Sequence, residues 1–79
     1  MFLHVTRVEY LHEYAIRLTF NDGRQGEANL ADALSGPVFE PLRDQALFAQ
    51  VAVEPELETV TWPNGADFAP EFLRSRLQA

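Results

Sequence analysis

The chain has 79 residues, 47% of them hydrophobic, with no cysteine and a net charge of −6 from twelve acids against six cations, all arginine. This length holds one domain, residues 1–79, with enough apolar content for a core. The composition excludes disulfides and thiolate metal sites, disfavours a direct grip on nucleic acid, and offers no apolar run near the roughly 20 residues of a membrane span.

The N-terminus MFLHVTRVEY lacks the basic start, long apolar stretch and small-residue cleavage site of a secretory signal, so a cytoplasmic location is expected. A core this small without disulfides often gains stability by self-association, so a homodimer is one expectation.

The segment FLHVTRVEYL is rich in β-branched and aromatic residues and predicts a first strand. Leu3 and Val5 have one parity, Val8 and Tyr10 the other, so a bulge near Thr6–Arg7 is expected. In the next strand Tyr14, Ile16, Leu18 and Phe20 fall on one face and Ala15, Arg17 and Thr19 on the other, the pattern of a half-buried strand. Asn21-Asp22-Gly23 tolerates the positive φ of a tight turn. A third strand follows, with Gly26, Ala28 and Leu30 toward the core and room beneath its small residues for a helix.

Leu30–Leu34 supports a short helical turn ended by Ser35-Gly36-Pro37. Asp44 is the expected N-cap of a short helix over 45–50 that buries Leu47 and Phe48. Short strands are predicted at 51–54 and 57–62, although Leu57 breaks parity with Val60 and Trp62. A last helix begins at Pro70, whose missing N–H costs nothing at a first helical position. Phe72, Leu73 and Leu77 form its apolar stripe, with Arg74 and Arg76 near its end. The fold class is α+β: a mainly antiparallel sheet built from two β-hairpins, with short helices packed on one face.

Trp62-Pro63-Asn64-Gly65 is the most distinctive stretch. Pro63 fixes φ and extends Trp62, and Asn64-Gly65 supplies positive φ. The structural reading is a strand-to-helix corner with the indole plugging the core. The functional reading is a rim where the indole edge and turn amides meet a partner. Asp67 and Glu71 form a carboxylate pair suited in principle to acid–base work, but acids there more often cap a helix N-terminus. Trp62, Pro63, Asn64, Gly65 and Asp67 are the candidate interaction residues.

His4 and His12 have no metal-ligand spacing, and no phosphate loop or nucleophile elbow is present. No cofactor, metal or catalytic residue is therefore assigned. Arg7, Arg17 and Arg24 align across the first three strands as a possible anion patch, with Glu9, Glu13 and Glu27 expected to neutralise it.

In order, RLTFNDGRQGEANL, GPVFEPLRDQALFAQVAV and TVTWPNGADFAPEFL resemble family 2442 of the domains of unknown function, small and mostly bacterial, over about Val5–Leu77. The resemblance implies a compact α+β fold without an established activity. It also implies relatives joined to a helix-turn-helix DNA-binding domain, and others beside small proteins in arrangements similar to toxin–antitoxin pairs. With the sequence ending soon after Leu77, such a DNA-binding domain is not expected within these 79 residues.

The favoured reading is a non-enzymatic protein-interaction or regulatory domain, an antitoxin-like partner of a small basic neighbour. The alternatives are a ligand-binding or enzymatic site at the Trp62–Asp67 corner and a structural self-associating unit. A membrane role is not expected.

Overall fold

The structure is a computed structural model and describes residues 2–78. Its first half is an antiparallel meander: β1 (Val5–His12), β2 (Ala15–Phe20) and β3 (Gln25–Asn29), in that spatial order. The predicted alternation holds from Ile16 to Phe20 in β2, where Ile16, Leu18 and Phe20 are fully buried and Arg17 is exposed, whereas Ala15, expected on the outer face, is buried at the start of the strand. β1 slips register twice against β2, between Val5 and Arg7 and again between Tyr10 and His12. The first slip is the expected bulge. It turns Thr6 outward, where its hydroxyl donates to the Thr19 carbonyl at 3.2 Å. β1 and β2 are joined through Glu13, held at φ 46.

The second half is mostly turns. Two short 3-10 segments, Ala31–Ala33 and Glu40–Arg43, lead into α1 (Gln45–Phe48). Asp44 caps α1 as expected, its carboxylate accepting from the Ala46 N–H at 3.0 Å. Phe48 is fully buried, while Leu47 is half-buried.

β4 (Ala52–Glu54) and β5 (Thr59–Thr61) form a separate two-stranded ladder. The pairing is therefore antiparallel throughout the strands but falls into two sheets. Leu57 lies outside the ladder, exposed in the turn, which removes its parity conflict with Val60 and Trp62. The Glu54 carboxylate organises that turn by accepting from the Glu56 and Leu57 N–H groups, at 2.6 and 2.8 Å. The Val5 N–H donates to the Glu58 carbonyl at 2.9 Å and ties the ladder to the start of β1.

α2 (Pro70–Ser75) begins at Pro70 as predicted. Its cations serve other elements: Arg74 pairs with Asp22 at 2.8 Å over the Phe20 ring, and Arg76 pairs with Asp32 over the Phe72 ring. The space under Gly26 is filled by the chain just past α2 rather than by a helix. A Cβ at Gly26 would lie 3.4 Å from the Gln78 carbonyl and 3.5 Å from Leu77. The Gln78 N–H donates to the Glu27 carbonyl at 2.8 Å, so this segment lines the outer edge of β3.

The inner face of the three-stranded sheet is covered by Leu34, Leu42, Phe48, Val60, Trp62, Phe68 and Leu73. An aromatic row runs through this core. Phe72 stacks on Phe68 at 5.1 Å, Phe68 meets Trp62 edge-on at 5.7 Å, and Trp62 lies 5.5 Å from Phe48, which meets Tyr10 and Tyr14 edge-on. Such pairs add about 0.5–1.5 kcal/mol each beyond area burial. Among the described residues no helix is long and apolar enough to cross a membrane.

Candidate functional site

Trp62 is 3% exposed. Its indole N–H donates to the Phe48 carbonyl at 2.9 Å, so the polar edge of the ring is satisfied inside the core. The ring therefore has no edge to present to a partner.

The four residues after β5 form a hairpin turn. The Gly65 N–H donates to the Trp62 carbonyl and the Trp62 N–H to the Ala66 carbonyl, both at 3.0 Å, with Gly65 at φ 88. The Asn64 side-chain oxygen accepts from the Ala66 N–H at 3.1 Å. Phe20-Asn21-Asp22-Gly23 makes the same turn. Gly23 donates to the Phe20 carbonyl, Phe20 donates to the Arg24 carbonyl, Asp22 accepts from the Arg24 N–H at 3.1 Å, and Gly23 has φ 87. Both are three-residue hairpin loops that place glycine in the left-handed region at the third loop position. An aromatic, one free position, Asx and Gly thus encode one piece of local geometry twice.

The strand-to-helix corner expected here is corrected by this turn. The chain doubles back, and Thr61 bridges to Asp67 in antiparallel fashion. Asp67 is exposed on that return and is not a cap. The N-cap of α2 is Ala69, with no side-chain hydrogen bond, and Glu71 lies in the first helical turn. Two intervening residues, Phe68 and Ala69, and a strand-like backbone keep Asp67 off the helix end.

The exposed part of the stretch is Pro63, Asn64, Gly65 and Asp67. The Asn64 amide donates to the Val38 carbonyl at 2.9 Å and fastens this turn to the 37–41 loop. That loop carries Val38, 48% exposed, and a shallow groove of about 440 Å³ lined by Pro37, Glu40 and Pro41. Val38 was not singled out from the sequence. Its one signal is its place between Pro37 and the next proline, Pro41, which stiffen a loop without burying it.

The histidines are far apart in role. His4 lies 3.2 Å from the Glu58 carboxylate, and His12 lies 3.9 Å from Glu13 at the β1–β2 turn. Among the described residues no group of three or more His, Asp or Glu is placed to hold a metal.

Of the three arginines, Arg7 and Arg17 share the outer sheet face and a groove of about 440 Å³ with Val8, Glu9, Thr19 and Gln25. Arg24 lies just before β3 and lines a neighbouring cleft with Gln25, Leu77 and Gln78. By register Arg17 lies between Glu9 and Glu27, whereas Glu13 is in the turn and off this face. The Asp22 carboxyl is held below the usual carboxylate range by the Arg24 N–H first and the Arg74 guanidinium second.

No match emerges among curated proteins. Among solved structures the chain is similar to the putative DNA binding protein NE0471 from Nitrosomonas europaea, with 27% identity and a TM-score of 0.83 over 98% of this chain. The chain spans 50% of that protein's length. The family described as protein of unknown function (DUF2442) matches residues 5–78, nearly the whole chain. A match running from β1 to Gln78 places this chain in that family: it belongs to DUF2442.

Proposed function

We propose that this chain is a non-enzymatic protein-interaction domain that docks a basic partner on the rim where the 37–41 loop meets the Pro63–Asp67 turn. The observation that carries this reading is the Asn64–Val38 hydrogen bond, which joins two stiffened loops and leaves Val38 exposed between them. Glu40 and Asp67 are exposed in the same two segments, in a chain of net charge −6, and favour a cationic partner. The buried indole of Trp62 and the open, shallow grooves argue against the alternative of an enzymatic pocket. An antitoxin-like pairing with a small basic protein from a neighbouring gene is the specific form favoured here, with residues 1–79 acting as one domain.

The test is calorimetric titration with that purified neighbour. Binding should weaken at least tenfold in Val38→Lys, which removes the apolar contact and repels a basic partner, while its melting curve stays that of the parent. No binding, or equal binding by Val38→Lys, would overturn the reading.

The name of the Nitrosomonas protein favours a second reading, direct DNA contact. This chain covers half of that protein, and its acidic charge opposes a phosphate backbone. We assign the DNA contact to the part of that protein outside the match. Salt-sensitive micromolar binding of duplex DNA in a gel-shift titration would reverse this assignment.

A further inference from the structure

Among the described residues the outer face of the β1–β3 sheet carries a cluster of charges of both signs that the fold leaves unpaired. Arg43, Arg74 and Arg76 are each bound within the chain, to the Leu34 carbonyl, Asp22 and Asp32. Among the described residues Arg7, Arg17, Glu9 and Glu27 have no ion pair within 4 Å, although Arg17 lies opposite both glutamates. Their arrangement is ordered. One row across the sheet reads Arg7, Thr19, Gln25, and the next reads Glu9, Arg17, Glu27.

We infer that this face binds the same face of a second copy of the chain, about a two-fold axis that crosses the strands between these two rows. Such an axis lays β1 antiparallel over the partner's β1 and sets each row against the other. Arg7 then faces the partner's Glu9 and Glu9 faces the partner's Arg7, so each ion pair occurs twice, as an isologous contact requires. Gln25 faces the partner's Glu27 and can donate to it, and Thr19 faces the partner's Arg17 and can accept from it. Facing sheets lie about 10 Å apart, a gap that an arginine and a glutamate reaching from opposite sides span.

The alternative two-fold axis, running along β2, would put Glu9 against Glu27 and is rejected by like charge. Glu9 and Glu27 also disfavour a uniform polyanion such as a nucleic-acid backbone, which would set phosphates against both. A second copy is the occupant whose charges match in both rows. None of these residues belongs to the Val38–Asn64 rim, so dimerisation and partner binding can be measured independently.

The test is sedimentation equilibrium of four proteins up to high micromolar concentration. The parent should be a dimer that weakens as salt rises from about 0.05 to about 0.5 M, roughly a threefold fall in Debye length. Arg7→Glu and Glu9→Arg should each weaken it by roughly tenfold or more, since each sets like charges face to face twice. The double variant Arg7→Glu/Glu9→Arg restores both pairs with reversed sign and should recover affinity to within about threefold. Both positions are exposed, and circular dichroism checks that each variant is folded. A monomeric parent, single variants that dimerise like the parent, or a double variant no better than the singles would each overturn the inference.

Discussion

The indole N–H of Trp62 donates to the carbonyl of Phe48, and the two rings lie 5.5 Å apart, which locks the end of β5 onto α1. Trp62→Ala should cost about 3–5 kcal/mol, as for a fully buried aromatic. Trp62→Phe keeps much of the packing and leaves the Phe48 carbonyl with the Val51 N–H as its donor at 3.2 Å, for a loss of about 0.5–1.5 kcal/mol. Urea melts of the two variants check both values. A Trp62→Ala melt close to that of the parent would return the indole to the partner reading.

The two matched turns make a paired prediction. Gly65 and Gly23 share φ near +88 and +87, and a Cβ at either meets nothing within 4 Å. Alanine at each should therefore cost the same, roughly 1 kcal/mol from the backbone alone. Thermal melts of Gly23→Ala and Gly65→Ala should agree with each other. A much larger loss at Gly65 would mean that the second turn does more than turn.

Glu13 and Glu58 occupy the left-handed region without being glycine, at φ 46 and 58. A side chain there costs about 1–2 kcal/mol, of which glycine's larger unfolded entropy takes back roughly 0.5–1. Glu13→Gly should therefore raise stability by roughly 0.5–1 kcal/mol. Glu58→Gly should gain less, because Glu58 also faces His4 at 3.2 Å. Chemical denaturation of both variants at neutral pH compares them.

The depressed Asp22 carboxyl has a pH signature. Its folded pKa lies below the unfolded value near 3.8. Its contribution to stability is therefore complete above the unfolded value and is lost as pH falls through the folded one. The melting temperature of Asp22→Asn should fall below the parent's at pH 6–7, a range set well above the ordinary carboxylate pKa of about 3.9. The two should converge as the pH drops below 3.8. A constant gap across that range would assign the effect to packing under Arg74 instead.

What the sequence revealed depended on how local the encoding was. Strand β2 announced itself because its parity is unbroken from Tyr14 to Phe20. Asp44, Pro70 and the Thr6 bulge followed from stereochemistry over a few residues. Leu57 misled because parity assumes a strand, and the Glu54 carboxylate had already turned the chain. Trp62-Pro63-Asn64-Gly65 was read as a corner, although the same code had been recognised as a hairpin turn at Asn21–Gly23. A proline at the second position obscured the likeness. Asp67 looked like a cap through its nearness to Pro70, but a cap depends on the path of the chain as well as on spacing. The Val38 rim was illegible because the hydrogen bond that makes it spans 26 positions.

The bridge from Gln78 to Glu27 also constrains the order of folding. The β2–β3 hairpin closes a short loop and can form early, whereas the bridge must close a loop of more than half the chain, and closure entropy grows with loop length. Non-local contacts of this kind form late. For part of every folding event the outer edge of β3 is then unpaired, although in the native state it is lined by Leu77 and Gln78. Leu77 and Gln78, which cover that edge, therefore bear on whether a crowded, newly made chain pairs with itself or with a neighbour. Substitutions there should act on refolding yield at high protein concentration more than on native stability.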